Sequence, residues 1–352
     1  MLSTSCQSQR EYGRTVSRMG WSMLLFIGLF YALNIPSELF SLYVSNLTDS
    51  ATASVLTVVS GVLSTLAYMA PFIGTGLFYL FLSRKTVTQR MRLEVTMPPR
   101  FPLLILTGLA VITVGAYVNA VFCELIGYTT PDDPTVLPDY SGPVNVINYM
   151  TTAIAPAFAE ELLFRGVYYT NLRPYGRTQA VLISALLFAL MHQNPAQIIY
   201  TFMAGVVMAM MYELTGSIWC SILFHLLNNE MAVLSEILIY GKFGENASMG
   251  FFLLDIVTVV LGIAALILLY VFGFEKKKDP REKRIQRGHK RRLLTQKREV
   301  PPVHGETTIR DRAAGPLSSL RALLTPGMMT FSITVVTLMT LSWLSYLLQN
   351  AL

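Results

Sequence analysis

Six residues with charged or reactive side chains stand in stretches that are otherwise apolar. They are Glu160, Glu161 and Arg165 in AEELLFRG, His192 in FALMH, and His225 and Asn229 in HLLNN. An ionisable side chain inside a hydrocarbon layer costs at least about 2.5–3.5 kcal/mol, so each position is a candidate functional position. A carboxylate and an imidazole can take a proton from water, and an imidazole or a carboxamide can stabilise an oxyanion. These residue types therefore indicate hydrolytic chemistry.

The two adjacent glutamates are predicted to have different roles. On an α-helix, Glu161 and Arg165 are four residues apart and share a face, so they can form an ion pair. Glu160 points about 100° away from Glu161. We therefore expect Arg165 to neutralise Glu161 in a supporting pair, and Glu160 to remain free for chemistry.

Helix lengths predict that Glu160 and His192 meet. The sequence RPYG at 173–176 is typical of a turn between two helices. Glu160 precedes the glycine of this turn by 16 residues, and His192 follows it by 16. At the rise of an α-helix both side chains lie about 24 Å from the turn, at equal depth on antiparallel neighbours.

His225 fits this arrangement less well. It lies only about 14 Å past the turn at 215–217, which makes it several ångströms shallower than Glu160 if all helices are straight. Asn229 is one helical turn beyond His225 on the same face. We expect helix tilt, or a later start of the fourth helix, to bring His225 to the other groups.

Four further acids lie near the ends of apolar runs, where water or lipid head groups can solvate them. They are Glu213, Glu230, Glu236 and Asp255. We expect these side chains to be interfacial and to take no part in the chemistry.

The composition indicates which elements position these groups. Of the 352 residues, 53% are hydrophobic and 14% are charged, compared with about 25% charged in soluble globular proteins. Apolar runs of about 20 residues recur, which is the length that crosses a bilayer as a helix. We predict an all-α, polytopic bundle of about nine transmembrane helices. The predicted spans are residues 20–44, 54–82, 101–127, 144–171, 178–193, 196–213, 217–237, 249–273 and 326–349.

The basic residues predict the orientation of this bundle. If the amino terminus is cytoplasmic, every lysine and arginine outside the spans except Lys242 lies on the cytoplasmic side. This is the positive-inside pattern, and it favours a multi-pass protein of the cell membrane with a cytoplasmic amino terminus. The densest basic run, at 275–300, has no interleaved aromatic residues for stacking on bases. We expect the linker at 275–325 to be a solvated cytoplasmic segment and expect no nucleic-acid partner.

The three motifs resemble those of the CPBP family of intramembrane proteases, which includes the type II CAAX prenyl endopeptidases. EELLFR at 160–165 is similar to the EExxxR motif of the family, FALMH to its FxxxH motif, and HLLNN to its HxxxN motif, in the same order. The resemblance covers about residues 140–240. It implies a helical membrane fold with a cavity that opens toward the cytosol.

The resemblance also implies roles for single residues. Glu160 resembles the general base and His192 its partner in activating water. His225 and Asn229 resemble the oxyanion stabilisers, and Glu161 with Arg165 resembles the supporting pair. We accordingly divide the chain into N-terminal transmembrane helices at 1–127, a catalytic core at 140–240, and C-terminal transmembrane helices with the basic linker at 249–352.

A metal-dependent mechanism is an alternative within the same class. Glu160, His192 and His225 would make a two-histidine, one-carboxylate zinc site with an open fourth position. However, the HExxH spacing of common zinc proteases is absent, and the carboxamide of Asn229 would be a poor ligand. We therefore favour a mechanism without a cofactor.

The leading functional hypothesis is an intramembrane endopeptidase that acts on a peptide or membrane-protein substrate within the lipid bilayer. A proton-coupled transporter is a second hypothesis, since buried glutamate and histidine residues also relay protons. Transporters often have two related halves, and here no second half repeats the charged motifs. A non-catalytic membrane scaffold or bacteriocin-immunity protein is the third hypothesis.

Overall fold

The computed structural model describes residues 4–47, 50–83, 91–127, 147, 149–239, 244–272 and 326–351. Every regular element in these ranges is helical, which confirms the predicted all-α class. The basic linker at 275–325 and Lys242 lie outside the described residues.

The described residues form nine helical segments, and each predicted span overlaps one of them. They are α1 (Thr4–Ser45), α2 (Ser50–Ser83), α3 (Phe101–Leu125), α4 (residues 150–172), α5 (Arg177–Met191), α6 (Ile198–Thr215), α7 (Ile218–Ile239), α8 (Gly244–Val271) and α9 (Pro326–Ala351). Short 3₁₀ turns at Arg173–Tyr175 and Pro195–Gln197 precede α5 and α6.

Five segments of the described chain are long and apolar enough to cross a membrane. They are Glu11–Ser45, Thr52–Ser83, Phe101–Leu125, Pro195–Thr215 and Ser248–Val271. Large apolar side chains such as Leu253, Val257 and Leu261 are exposed along α8, as expected of a helix that faces lipid. The protein is thus a multi-pass membrane protein, and the count of nine crossings remains a prediction.

The fourth helix lies at the centre of the bundle and carries both glutamates of the first motif. It contacts α2, α5, α6 and α7, and its side chains Leu163, Phe164 and Tyr168 are fully or almost fully buried. Its α-helical part, Ala155–Glu161, lies between two π-helical stretches, Met150–Ile154 and Leu162–Tyr169. Wider π-helical turns of this kind are often found at functional sites.

The other helices pack around this centre in pairs. The strongest pairings are α1 with α2 and α9, α3 with α6 and α8, and α5 with α6. Helices α5 and α6 approach so closely that a Cβ added to Gly205 would lie 2.9 Å from Cα of Ala185. Small residues at such crossings allow helix backbones to pack tightly in membranes.

An aromatic cluster joins α1 to α2. The ring centroids of Phe26 and Phe72 are 4.9 Å apart, those of Phe72 and Tyr68 are 5.2 Å apart, and those of Phe26 and Phe30 are 5.7 Å apart. Aromatic pairs at these distances, whether edge-to-face or offset-stacked, stabilise a contact beyond the area they bury. Tyr68 of this cluster also contacts α4, through a hydrogen bond to Glu160.

Candidate active site

Glu161 and Arg165 form a fully buried ion pair at the centre of the bundle, as their spacing predicts. Nη1 of Arg165 lies 2.6 Å from Oε1 of Glu161, and both side chains are 0% exposed. Nη2 of Arg165 donates to the backbone carbonyl of Gly205 at 2.9 Å, and the guanidinium lies 4.7 Å from the ring centroid of Phe188. Arg165 thereby ties α4 to α5 and α6.

Glu161 also binds two residues of α7 that its spacing to Arg165 does not reveal. Oε1 lies 3.0 Å from Nδ1 of His225, and Oε2 accepts a hydrogen bond from the hydroxyl of Ser221. A carboxylate bound to arginine is ionised and can only accept, so Nδ1 of His225 carries the hydrogen. Ser221 lies four residues before His225, on the same face of α7. That spacing was the available signal for this residue.

Glu160 has a different environment from Glu161, although both are buried. Its Oε1 accepts a hydrogen bond from the hydroxyl of Tyr68 on α2. Its Oε2 is buried and has no hydrogen-bond partner within the described part of the chain. This atom lies 4.0 Å from Nε2 of His225. The distance is too long for a direct hydrogen bond and short enough for one water molecule to bridge the two atoms.

His192 lies at the end of α5, beside these groups. Its Nδ1 lies 2.8 Å from the backbone carbonyl of Phe188. Because a carbonyl can only accept, Nδ1 carries the hydrogen, and Nε2 of the neutral ring is an acceptor. The ring of Phe188 contacts both imidazoles, with centroids 5.0 Å from His192 and 5.8 Å from His225.

Asn229 is engaged with the start of α4. Its Nδ2 donates to the carbonyl of Ala153 at 3.3 Å, and its Oδ1 accepts from Asn228 at 3.5 Å. Asn228 in turn accepts from the hydroxyl of Tyr200 at 2.8 Å. A carboxamide nitrogen carries two hydrogens, so a second one remains on Asn229. The structure thus joins Glu161, Arg165 and His225 directly, places Glu160 4.0 Å from His225 and links His192 through Phe188, with Asn229 one helical turn beyond His225.

The depth of His225 is explained by the start of α7. A Cβ added to Gly166 would lie 3.4 Å from Cδ1 of Ile218, so the first residue of α7 lies beside a residue ten positions before Gly176, about 15 Å from that turn. His225 is seven residues further along α7 and therefore about 10 Å deeper, which brings it to about the depth of 24 Å expected for Glu160. The fourth helix does not need to start later, because α7 itself begins deeper.

The segment before α3 covers this recessed start of α7. The amide of Ile218 donates to the carbonyl of Arg92 at 3.1 Å, and the hydroxyl of Ser217 donates to the carbonyl of Glu94 at 2.8 Å. The indole of Trp219 donates to the carbonyl of Leu93 at 3.0 Å. Residues 92–94 therefore satisfy donors at the buried helix terminus, which would otherwise lack partners.

The acids expected at the interface lie outside this cluster, as far as their side chains are described. Glu213 forms a fork of hydrogen bonds with Arg173, at 2.6 and 2.9 Å, and accepts from the hydroxyl of Tyr169 at 2.7 Å. The bond with Glu213 raises the pKa of the Arg173 guanidinium. Asp255 accepts from the hydroxyl of Tyr117 at 2.9 Å. Glu230 is partly exposed, and the side chain of Glu236 lies outside the described part.

The zinc alternative can be tested against the donor geometry. Within the described ranges, no group of three or more histidine, cysteine, aspartate or glutamate side chains is arranged to hold a metal ion. Glu160, His192 and His225 do not form such a group, so we derive no step through a metal, and the metal-free mechanism remains a prediction.

Two residues of the N-terminal helices contact the site without any signal in the sequence. Tyr68 on α2 donates to Glu160, and Tyr31 on α1 donates to Oε1 of Gln193, the neighbour of His192. Both tyrosines lie in apolar runs outside the three motifs. An aromatic residue in such a run is most simply read as packing, and its hydroxyl partner depends on how the helices assemble.

Comparison with known families gives one match. Residues 142–231 match the family described as Type II CAAX prenyl endopeptidase Rce1-like. No curated protein and no solved structure matches the chain. Such a family implies a protease that acts on a peptide or protein substrate in a membrane. The segment that carries all three motifs is thus similar to the type II CAAX prenyl endopeptidase Rce1-like family, as the motifs predicted.

Proposed function

We propose that this protein is an intramembrane endopeptidase in which Glu160 activates a water molecule for attack on a peptide bond. One observation carries the proposal: Oε2 of Glu160 is buried without a hydrogen-bond partner among the described residues and lies 4.0 Å from Nε2 of His225. A buried carboxylate oxygen without a partner is costly. A reacting water at this position would satisfy it and place the nucleophile between two helices.

Glu160 acts as the general base. Tyr68 holds Oε1, which leaves Oε2 as the atom that accepts a proton from water. The water oxygen attacks the carbonyl carbon of the scissile bond as its proton passes to Oε2. Proton transfer by a positioned group of this kind typically contributes about 10²–10⁴-fold to the rate.

His225 stabilises the charge that develops on the carbonyl oxygen. Its Nδ1–H is held by Glu161, which fixes the ring so that Nε2 faces Glu160 across 4.0 Å. In its imidazolium form, which carries a hydrogen on each nitrogen before the water attacks, the ring donates Nε2–H to the oxyanion and keeps both protons, while Glu160 retains the proton taken from the water. Donors held rigidly toward a developing charge are usually the largest single contribution to such reactions. The second hydrogen of the Asn229 carboxamide is the other proposed donor.

His192 passes the proton to the leaving amine. Its Nδ1–H is fixed on the carbonyl of Phe188, so Nε2 is the atom available to accept a proton. The proton that it passes on is the one that Glu160 took from the water. The amine leaves once it has been protonated, and the new carboxyl group and the amine are the two products.

We retain the cytoplasmic amino terminus as part of the proposal. Thr15 on α1 hydrogen-bonds with Tyr175 at 3.2 Å, and Arg92 contacts the start of α7 through its backbone. The basic residues of α1, of the segment before α3 and of the 173–177 turn therefore lie at one end of the bundle. Labelling of single cysteines introduced at this end, in intact cells and in lysed cells, tests the orientation. Labelling only after lysis is expected, and labelling in intact cells would contradict it.

Cleavage of a peptide library by the purified protein in detergent tests the activity. We expect hydrolysis by the unaltered protein with and without a metal chelator, and its loss in His192→Ala. The library contains each peptide with and without a prenylated cysteine, so that the same assay reports the substrate class. Loss of cleavage in chelator, with recovery on adding zinc, would contradict the metal-free mechanism. No cleavage of any peptide by the unaltered protein would contradict the proposed activity.

A further inference from the structure

Gln193 combines two unfavourable features directly after His192. Its backbone φ is 50°, and among the described residues it is the one non-glycine residue with a positive φ. Its side chain is 8% exposed, and its amide nitrogen Nε2 is buried with no hydrogen-bond partner in that part of the chain. Left-handed backbone at a non-glycine residue and an orphaned buried donor both destabilise a fold. Such features cluster at active sites and ligand-binding sites.

The other end of the same amide group is fixed. The hydroxyl of Tyr31 donates to Oε1 of Gln193. Tyr31 packs against Phe30 with ring centroids 5.8 Å apart, and Phe30 belongs to the aromatic cluster that joins α1 and α2. With Oε1 held, the planar amide keeps Nε2 in one orientation. Nε2 is therefore a preorganised donor that has no acceptor within the described protein.

The location of this donor links it to the groups proposed for the reaction. The backbone amides of His192 and Gln193 both end α5, bonding to Ala189 and Leu190 at 3.2 Å. The aromatic cluster that supports Tyr31 also contains Tyr68, whose hydroxyl holds Glu160. Gln193 and Glu160 are thus each held by one tyrosine of the same α1–α2 pair.

Each of the two proposed oxyanion donors, His225 and Asn229, already has one of its hydrogens bonded within the protein, so a further donor could contribute. Nδ1 of His225 is bound to Glu161, and one hydrogen of Asn229 is bound to Ala153. The amide of Gln193 has both its hydrogens free of partners among the described residues. Two or more donors commonly bind the oxygen of a tetrahedral intermediate.

We propose that Gln193 is a catalytic residue whose Nε2 donates a hydrogen bond to a carbonyl oxygen of the peptide substrate at the scissile bond, and that Tyr31 is its positioning residue. The inference rests on the proposed endopeptidase function. A peptide carbonyl supplies the acceptor that Nε2 lacks. Two helices outside the family-matched segment then contribute to catalysis, one through Tyr68 and the other through Tyr31.

Gln193→Gly separates catalysis from folding. Glycine adopts positive φ at no steric cost, and the substitution also removes the orphaned donor. We expect a thermal unfolding temperature in detergent equal to or above that of the unaltered protein, with kcat lowered about 10²–10³-fold and KM changed only a few-fold.

Gln193→Leu should give the same loss of kcat, and Gln193→Asn should not restore it, because its amide is one methylene short. Gln197→Leu, at an exposed glutamine in the following 3₁₀ turn, is the matched control and should cleave normally.

Tyr31→Phe tests the positioning role. It should lower kcat less than Gln193→Gly does, since the amide remains but is no longer held. Tyr43→Phe, at an exposed tyrosine of the same helix, should have no effect. In the double variant Tyr31→Phe/Gln193→Gly, kcat should match that of Gln193→Gly alone, because the hydroxyl acts only through the amide.

Including Glu160→Gln in the same assay separates the two proposals. Full cleavage by Gln193→Gly together with no cleavage by Glu160→Gln would overturn the role of Gln193 and leave the proposed function standing. Full cleavage by Glu160→Gln would overturn the proposed function, and the role of Gln193 with it. The expected result is loss of kcat in both variants, with an unfolding temperature of Gln193→Gly no lower than that of the unaltered protein.

Discussion

Nε2 of His225 lies 4.0 Å from Oε2 of Glu160, while Nδ1 of the same ring lies 3.0 Å from Oε1 of Glu161. One imidazole therefore contacts both adjacent glutamates with its two nitrogens. Both carboxylate oxygens of Glu161 have partners in the protein, whereas Oε2 of Glu160 has none among the described residues. Two acids of the same type thus have different surroundings, which fits the supporting role proposed for Glu161 and the reacting role proposed for Glu160.

Glu161→Gln is predicted to destabilise the protein. The substitution leaves the fully buried Arg165 without its counter-charge, and breaking a buried pair in this way costs about 3–5 kcal/mol. Thermal unfolding in detergent should show a clear fall in unfolding temperature. Glu230→Gln makes the same chemical change at a partly exposed position of α7 and should stay within about 0.5 kcal/mol. Equal unfolding temperatures for the two variants would contradict the structural role of Glu161.

Tyr68→Phe is predicted to slow cleavage while preserving the fold. Phenylalanine keeps the packing against Phe72 and removes the hydrogen bond to Glu160. A hydrogen bond to a charged group contributes about 1.5–3 kcal/mol, so kcat should fall roughly 10–100-fold with KM little changed.

The control for Tyr68 is Tyr270→Phe, which removes a hydroxyl from a tyrosine exposed on α8. It should cleave at the normal rate. If Tyr68→Phe raised KM and left kcat unaltered, the hydroxyl would serve substrate binding and not the orientation of Glu160.

Gly205→Ala is predicted to affect both stability and activity. The added Cβ would lie 2.9 Å from Cα of Ala185, so α5 and α6 must separate, and overpacking of this kind costs about 1–3 kcal/mol. The same shift moves the carbonyl that Arg165 binds. A lower unfolding temperature and slower cleavage should therefore appear together.

Gly28→Ala is the matched substitution on α1. A Cβ at Gly28 meets nothing within 4 Å, and alanine is favoured over glycine in a helix by about 0.5–1 kcal/mol. Gly28→Ala should be at least as stable as the unaltered protein. If Gly205→Ala had the same unfolding temperature and cleavage rate as Gly28→Ala, the close approach of α5 and α6 would not be required for stability or activity.

The sequence was sufficient to predict the local features of the site. The Glu161–Arg165 pair follows from a spacing of four residues on one helix, and the contact of α4 with α5 follows from the short turn between them. The direct meeting of Glu160 with His192, expected from their equal distances to that turn, stays a prediction. The nine helical segments follow from apolar runs whose length a bilayer dictates. These features depend on periodicity and length, which a sequence displays directly.

The features that were missed depend on packing between distant helices. The depth of His225 could not be predicted, because it depends on α7 starting beside Gly166 under the segment at 92–94. Tyr68 and Tyr31 carry no signal, since an aromatic residue in an apolar run has the same pattern whether its hydroxyl meets a catalytic group or lipid. Gln193 could not be singled out either, because its positive φ is a property of the turn after His192.

Glu160→Gln most directly tests the central claim. The substitution keeps the size of the side chain and its acceptor for Tyr68, and removes the ability to take a proton from water. For the purified protein cleaving its best peptide, we predict a fall in kcat of about 10²–10⁴-fold, with an unchanged unfolding temperature and with Glu230→Gln cleaving normally. Cleavage by Glu160→Gln at the rate of the unaltered protein would contradict the account.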